Sequence, residues 1–308
     1  MRGSERLAST VTIHRGAGHY TRGMNEHAGS HRGRWFVFAA SVLWSTNGLF
    51  VKSPLFADWP SDQRGALLGL WRALFAVAIL LPLVRRPQLS WRLLPMAIAF
   101  AAMSGVFLQS MVWTTAANAI WLQNIAPVWL CLFSFLGGEK IDRRDLRTLG
   151  FAASGIGLIL VCELGQSGAT VETIWGVLLG LLSGMFYALV IYFLRYLRDF
   201  DAAWLVVINL ATTALLMSPL PTITGIWPHG EQWLALAAFG VFQLGLAYYC
   251  FARGVKTISS QEAAGLGLLE PIMVPIWVWL RYGELPAPWT IAGGALILIG
   301  LALRYRRT

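Results

Sequence analysis

The chain contains few charged residues and few cysteines for its length. Only 13% of its 308 residues are Asp, Glu, Lys or Arg, whereas soluble proteins carry about 25%. The three cysteines stand far apart within apolar stretches, which argues against a disulfide framework or a cysteine metal site. The sequence has no phosphate-binding Gly-Lys-Ser/Thr loop and no HExxH motif. It therefore predicts neither an enzyme nor a bound metal or cofactor.

Large apolar residues are abundant instead. Hydrophobic residues make up 56% of the chain, with 15 Trp and 16 Phe. Because so few charges cannot cover that much apolar surface in water, the composition excludes a soluble enzyme, a nucleic-acid-binding domain and a disordered chain. A net charge of +9 would indicate an acidic partner only if the basic residues clustered on a soluble face.

Ten apolar runs follow one another from Trp35, separated by short polar breaks. A membrane-spanning helix needs about 20 mostly apolar residues, and the runs lack the alternation of a transmembrane β-strand. We therefore predict an all-α integral membrane protein with ten transmembrane helices. The runs are 35–52, 64–84, 92–113, 116–137, 146–163, 174–195, 202–220, 232–252, 258–280 and 289–304.

The basic residues lie almost entirely on one side of the predicted membrane. If the chain crosses ten times, 20 of its 24 Lys and Arg residues fall on the side of the N-terminus. Lys52, Arg64 and Arg281 fall on the opposite side, and Arg72 lies within a span. Cytoplasmic loops of membrane proteins carry such an excess of basic residues. We therefore predict an inner-membrane protein that contacts the lipid bilayer, has both termini in the cytoplasm and binds no nucleic acid.

Residues 1–34 differ in composition from the rest of the chain. They contain six arginines, four histidines and few large apolar residues. Because the charges are spread along the segment and no apolar core precedes a cleavage site, the segment does not fit a signal peptide. We expect a disordered cytoplasmic tail, within which Met24 is an alternative start of the chain.

A segment of the fourth run recurs in the ninth. Ala119–Pro127 (AIWLQNIAP) aligns with Ala263–Pro271 (AAGLGLLEP) at an offset of 144 residues, with Ala, Leu and Pro shared. Spans one to five thus recur as spans six to ten, which places two five-helix repeats at 35–167 and 172–304. Because each repeat crosses the membrane an odd number of times, the two copies are inverted. Inverted-topology repeats are typical of secondary transporters.

Short motifs in both halves carry a family resemblance. They are Leu43-Trp44-Ser45 with Asn47, Trp71-Arg72, Thr114–Ala119 leading to Ala126-Pro127 and Gly138-Glu139, and Ser259-Ser260 leading through Leu269-Glu270-Pro271 to Gly283-Glu284. Together, and in duplicate, they resemble the EamA-type transporters of the drug/metabolite transporter superfamily over residues 35–304. The resemblance implies ten helices, cytoplasmic termini and a small-molecule substrate such as an amino acid. It does not fix the cargo, because one fold serves many cargoes.

Two ionisable residues stand out within the predicted spans, where a charge is costly. Arg72 is in the second run, and Glu270 lies near the middle of the ninth run, directly before Pro271. Pro271, together with Pro275 one turn later, predicts a kinked helix. Two interpretations remain open. Arg72 and Glu270 form a buried structural pair, or Glu270 binds a proton or a cationic group of the substrate.

Other polar and aromatic side chains within spans are candidate substrate ligands. On the fourth run, Trp121 and Asn124 lie three residues apart and share a helical face. The further candidates are Trp44 and Asn47 on the first run, Tyr187 on the sixth and Gln243 on the eighth. The alternative for each is an interhelical hydrogen bond, worth on the order of 0.6 kcal/mol. Glu139 and Glu284 lie at span ends, where we expect them to cap helices or anchor hinges.

Glycines at four-residue spacing predict close helix packing. Gly176, Gly180 and Gly184 form one stripe on the sixth run, and Gly65 and Gly69 form another on the second. Such stripes let helix backbones approach closely, within the fold or across a homodimer.

The sequence as a whole predicts a secondary transporter that moves a small metabolite by alternating access. One alternative is a carrier of lipid-linked or nucleotide-linked intermediates. Such a cargo needs a wide basic cavity, and Arg72 is the one basic residue expected near the membrane midplane. Another alternative is a non-transporting membrane anchor or sensor, which the lack of a large soluble domain disfavours.

Overall fold

The computed structural model describes residues 16–138, 142–166 and 170–305. Within those ranges every regular element is a helix. The α-helices are α1 (Gly16–Ser45), α2 (Asn47–Val51), α3 (Ser61–Leu80), α4 (Leu94–Trp113), α5 (Ala116–Gln123), α6 (Ala126–Leu136), α7 (Arg143–Leu164), α8 (Val171–Leu194), α9 (Ala202–Met217), α10 (Leu220–Thr224), α11 (Glu231–Ala238), α12 (Ala247–Gly254), α13 (Ser260–Gly267), α14 (Leu269–Tyr282) and α15 (Pro288–Tyr305). A π-helical segment, Phe239–Leu246, joins α11 to α12.

Eight helices in the described part of the chain are long and apolar enough to cross a membrane. They are Ser61–Leu83, Trp91–Trp113, Ala116–Leu136, Asp145–Leu164, Val171–Leu194, Ala202–Thr224, Glu231–Gly254 and Gln261–Tyr282. The first predicted run, 35–52, is divided between α1 and α2 at Thr46, and the last lies in the shorter apolar helix Pro288–Leu303. The all-helical class is confirmed, and the count of ten spans stays a prediction.

Helix α1 begins earlier than the sequence predicts. Residues 16–34, expected to belong to a disordered tail, are helical, while residues 1–15 lie outside the described residues. The contacts of α1 explain the extension. Gly33 packs against Gly254 and Thr257, and Arg34 forms an ion pair of 2.7 Å with Glu262. Once the helix is held there, each further residue adds a backbone hydrogen bond at little entropic cost.

Side-chain caps fix where several helices begin. Thr115, Thr170, Asp201 and Ser259 each precede a helix and accept a hydrogen bond from a backbone N–H of its first turn. At Ser259 the cap is reciprocal, because the Glu262 carboxylate also accepts the Ser259 backbone N–H at 3.2 Å. Such caps satisfy amides that have no partner inside the helix.

Two equivalent spans are interrupted near their middle. The fourth predicted run is divided into α5 and α6 at Asn124 and Ile125, just before Pro127. The ninth is divided into α13 and α14 at Leu268, three residues before Pro271. Proline lacks the backbone N–H that a continuing helix needs, so each break lies just before its proline. The kink expected in the ninth span is therefore a break in the helix.

The last helices of the two predicted repeats, α7 and α15, pack antiparallel. The Thr148 hydroxyl near the start of α7 donates to the carbonyl oxygen of Gly300 near the end of α15, at 3.2 Å. Further along, a Cβ added to Gly293 would lie 2.7 Å from the carbonyl oxygen of Gly155. The backbones touch at this point, so a glycine is required on both helices.

The second helices of the two repeats, α3 and α9, also run antiparallel. The Arg85 backbone N–H, just beyond α3, donates to the Asp201 carboxylate before α9 at 3.1 Å. Near the other end, Gly69 packs against Met217. Equivalent helices of the predicted repeats thus meet in antiparallel pairs, which supports the inverted arrangement.

The predicted glycine stripes are used inside the fold. A Cβ on Gly176 would lie 2.8 Å from the Thr114 backbone nitrogen, and one on Gly184 would lie 2.8 Å from the Leu122 carbonyl oxygen. Gly65 likewise packs against the backbone of Gln109. Helix α8 therefore packs closely on α4 and α5, just as α1 packs on α12, α13 and α14.

Candidate functional site

An aromatic group joins the end of α1 to α12. The Trp44 ring meets Tyr248 edge-on at 5.3 Å between centroids, and it meets Phe251 at 5.2 Å. The Gln243 side-chain amide, in the π-helical segment, donates to the Trp44 carbonyl oxygen at 3.2 Å. Because π-helical turns occur frequently at functional sites, this contact marks the junction as a candidate site.

Asn47 begins α2 and stands in the sequence midway between Trp44 and Phe50. Phe50 stacks on Phe239 of the π-helical segment, with ring centroids 4.8 Å apart, so α2 packs against that segment. Asn47 is 3% exposed and Gln243 is 2% exposed. Neither the Asn47 Oδ1 atom nor the Gln243 Oε1 atom has a hydrogen-bond partner among the described residues. A buried polar atom without a partner costs about 1–3 kcal/mol, so both oxygens are suited to accept a hydrogen bond from a ligand.

Arg72 is buried on α3, 5% exposed. One Nη atom donates to the Ser104 hydroxyl at 2.8 Å, and the guanidinium lies 5.0 Å from the centre of the Phe239 ring. Its Nε atom has no acceptor among the described residues. The Arg72 charge is thus stabilised by the Ser104 hydroxyl and the Phe239 ring face, and its Nε–H has no acceptor among the described residues.

Glu270 lies at the start of α14, directly after the break in the ninth span. It is within electrostatic range of Arg72 and Tyr248. Within the described chain, no Glu270 oxygen lies within 4.0 Å of an Arg72 nitrogen, so the two residues do not form the direct pair considered from the sequence. We call Trp44, Asn47, Arg72, Gln243, Tyr248 and Glu270 the central polar cluster.

Trp121 holds the break in place from the other half. Its indole N–H donates to the Pro271 carbonyl oxygen at 2.8 Å, next to Glu270. Its ring fills the space above Gly294 on α15, where no side chain would fit. Trp121, expected to contact the substrate, is engaged in packing α5 against α14 and α15 and so positions Glu270.

The other predicted site residues lie apart from these contacts. The Asn124 side-chain amide donates to the Ile120 carbonyl oxygen of its own helix at 2.8 Å, and the same carbonyl also accepts the Asn124 backbone N–H at 3.1 Å. Tyr187 is 39% exposed and lies one turn beyond Gly184, where α8 crosses α5. Another amide side chain, that of Gln109, links α4 to α3. Its Oε1 atom accepts the Gly65 backbone N–H at 3.1 Å, and its Nε2 atom donates to the Ser61 carbonyl oxygen at 2.6 Å.

A second polar group lies at the opposite end of the first and ninth spans. The Lys52 ammonium lies 2.9 Å from one Glu284 oxygen and donates to the Thr114 carbonyl oxygen at 2.7 Å. The other Glu284 oxygen accepts the Ala116 backbone N–H at 2.7 Å and so caps α5. We call Lys52, Glu284 and the Thr114 carbonyl the outer latch, because the predicted orientation places them on the outer side. The sequence indicated Glu284 as a cap, but not its pairing with Lys52, which only the folded chain brings near. Glu139 lies outside the described residues.

Sequence reasoning missed one buried carboxylate, Glu163 on α7. It is 8% exposed and accepts hydrogen bonds from Asn118 at 2.9 Å, Thr290 at 3.2 Å and Trp289 at 3.4 Å. The signal was present, because Glu163 ends an otherwise apolar run. In the described part of the chain, no three His, Cys, Asp or Glu residues are placed to hold a metal ion.

The two equivalent half-helices at the breaks differ in burial. All eight residues of α5 are buried. In α13, Ala263 is buried, and the other side chains that the structure describes are half-buried or exposed. Helix α5 is therefore enclosed by its neighbours, whereas most described side chains of α13 are half-buried or exposed.

The chain is similar to known transporters over most of its length. The sequence profile described as the EamA-like transporter family matches residues 31–161 and again residues 174–306. The aromatic amino acid exporter YddG of Ancylobacter novellus is 24% identical over 281 residues, which cover 86% of this chain and 94% of the relative. The pseudopaline exporter CntI of Pseudomonas aeruginosa is 27% identical over 258 residues, which cover 81% and 89%.

Two further comparisons agree with these. An uncharacterized transporter of Archaeoglobus fulgidus is 27% identical over 194 residues, which cover 63% of this chain and 68% of the relative. A solved crystal structure aligns with a TM-score of 0.61 at 20% identity and covers 88% of this chain and 94% of the other, which supports the fold. Two profile matches and eight apolar helices lead to one conclusion. The chain is a multi-pass membrane protein and belongs to the EamA-like transporter family.

Proposed function

We propose that the chain is a secondary transporter that moves a small metabolite, an amino acid or a similar compound, across the inner membrane. The observation that supports this most directly is the central polar cluster. Buried polar atoms without partners meet there beside a broken helix, between the two halves of the chain. Secondary transporters bind their substrates in such places, where helix breaks free backbone groups inside the bilayer.

The proposed architecture has ten spans in two inverted repeats, 35–167 and 172–304, with both termini in the cytoplasm. The antiparallel pairs α3–α9 and α7–α15 support the inversion. The two profile matches overlap the two proposed repeats. With this orientation α13 lies on the cytoplasmic side, so the exposure of α13 corresponds to an inward-open state.

The names of the relatives support a small-molecule cargo. YddG is an exporter of aromatic amino acids and CntI is an exporter of pseudopaline. A carrier of lipid-linked or nucleotide-linked compounds is disfavoured, because the cluster contains one arginine and one carboxylate, Arg72 and Glu270, and so is not a basic cavity. An anchor or sensor without a ligand would not need the unpartnered groups of the cluster.

Reconstitution into liposomes tests the proposal. The purified full-length protein is supplied with labelled amino acids and other small metabolites, with and without a pH gradient. Liposomes without protein are the control. We expect flux of at least one compound above this control, with saturation at high concentration. No flux of any compound under any gradient would contradict the proposal.

A further inference from the structure

The central polar cluster contains two opposite charges, each without a direct charged partner. The Arg72 guanidinium is held by a hydroxyl and an aromatic face, and its Nε–H is free among the described residues. Glu270 accepts no side-chain or backbone hydrogen bond from the described residues, and no nitrogen of Arg72 lies within 4.0 Å of it. Both groups can therefore pair with a ligand.

Burial makes the pairing selective. A buried charge without a partner is strongly unfavourable, and a ligand that pairs one charge but not the other leaves the second charge uncompensated. A zwitterion pairs both charges and adds no net charge to the site. Resting on the proposed transport function, we propose that the cluster binds a zwitterion whose carboxylate pairs with Arg72 and whose ammonium pairs with Glu270.

The helices fix which end of the ligand lies where. Arg72 lies on α3, beside Ser104 of α4. Glu270 lies on α14, one turn before Val274, which packs on Gly48. The carboxylate therefore points toward the α3–α4 pair, and the ammonium points toward the break in the ninth span. A guanidinium offers a carboxylate two parallel N–H groups, and the free Nε–H supplies one of them.

Aromatic rings give the apolar body of the ligand a surface to pack on. The Trp44 ring contacts Tyr248 and Phe251, with ring centroids 5.3 and 5.2 Å apart. Tyr248 of this aromatic group is within electrostatic range of both Arg72 and Glu270. The cluster thus suits a zwitterion with an apolar or aromatic side chain.

Three related compounds test the assignment on the purified full-length protein. Phenylalanine carries both charges, phenethylamine lacks the carboxylate, and 3-phenylpropionate lacks the ammonium. Isothermal titration gives the affinity of each. We expect the protein to prefer phenylalanine over each of the other two by at least about tenfold, which corresponds to about 1.4 kcal/mol.

Two substitutions should remove these preferences separately. Arg72→Gln should abolish the preference for phenylalanine over phenethylamine, because the carboxylate no longer has its partner. Glu270→Gln should abolish the preference over 3-phenylpropionate. Arg72→Lys keeps the charge without the fork and should retain part of the first preference. Glu163→Gln, which alters a buried carboxylate outside the cluster, should keep both preferences.

The outcomes separate this assignment from the proposed function. If liposomes show no flux of any compound, the proposed function fails. If phenylalanine is transported but both Gln variants, folded and monodisperse, keep both preferences, the zwitterion assignment is overturned and transport stands. Equal affinity of the unaltered protein for all three compounds would also overturn the assignment.

Discussion

Glu270 is the carboxylate on which we expect the pH dependence of transport to rest. It lies at a helix break inside the protein, and Arg72 and Tyr248 are the titratable groups within electrostatic range of it. Glutamine has nearly the same shape but takes up no proton. Glu270→Gln should therefore lower transport and flatten its dependence on pH, measured as initial uptake into liposomes over a series of symmetric pH values.

The matched control for this prediction is Glu163→Gln. This change also removes a buried carboxylate, but one that accepts three hydrogen bonds away from the cluster. The control should keep the pH profile of the unaltered protein. An unchanged profile in Glu270→Gln would show that Glu270 has no role in coupling transport to protons.

Part of the candidate site was predictable residue by residue. Arg72, Glu270 and Asn47 are polar residues inside apolar runs, and this pattern is visible in the sequence. The same rule selected Trp121 and Asn124, whose side chains donate to backbone carbonyl oxygens. Sequence pattern could not separate the two groups, because it does not show which side chains reach a backbone carbonyl oxygen once the helices pack.

At the scale of single elements, the start of α9 depends on Asp201. Its carboxylate accepts backbone N–H groups from Ala203 at 2.9 Å and from Arg85 at 3.1 Å. Partial burial raises the pKa of Asp201, but these backbone hydrogen bonds outweigh burial and lower the pKa below its ordinary value. The ionised form therefore stabilises the folded state. This stabilisation is present above the unfolded pKa of about 3.9 and is lost as the pH falls through the lower folded value.

Substitution of Asp201 should separate its charge from its role as a cap. Asp201→Asn keeps a good helix cap without a titrating group, so its melting temperature should fall less on acidification than that of the unaltered protein. Asp201→Ala removes the cap and should cost about 1 kcal/mol near neutral pH. Thermal unfolding in detergent measures both. An identical acid dependence in Asp201→Asn would contradict the assigned role of the charge.

The positions of the helices were largely visible in the sequence, and their interruptions were visible only in part. The predicted run 92–113 agrees with the observed helix Trp91–Trp113, because apolar length fixes where a span lies. The break at Leu268 lies three residues before Pro271, and the π-helical segment at Phe239–Leu246 has no proline or other sequence signal. Such local geometry depends on packing between helices, which one sequence does not show.

At the scale of the whole molecule, the structure is asymmetric although its two halves are related. The outer latch ties the ends of α2 and α14 to the start of α5, and all residues of α5 are buried. The equivalent helix α13 is largely unburied, and the Arg34–Glu262 pair beside it is exposed. In an alternating-access protein these two ends open in turn, so the outer latch should stabilise the state described here.

Breaking the outer latch should shift this balance. Glu284→Gln removes the ion pair with Lys52 and weakens the cap on Ala116, both in a half-buried setting. A loss of about 1.4 kcal/mol would change the ratio of the two states about tenfold.

Spin labels at Leu55 and Leu285, both exposed near the latch, would report the outer distance by double electron–electron resonance in a cysteine-free background. We expect a longer distance to gain population in Glu284→Gln, and partial recovery when Lys52→Glu is combined with Glu284→Lys. Glu262→Gln breaks the exposed pair at the other end and should leave the outer distance unchanged. An outer distance unaffected by Glu284→Gln would mean that the latch caps α5 without holding the outer side closed.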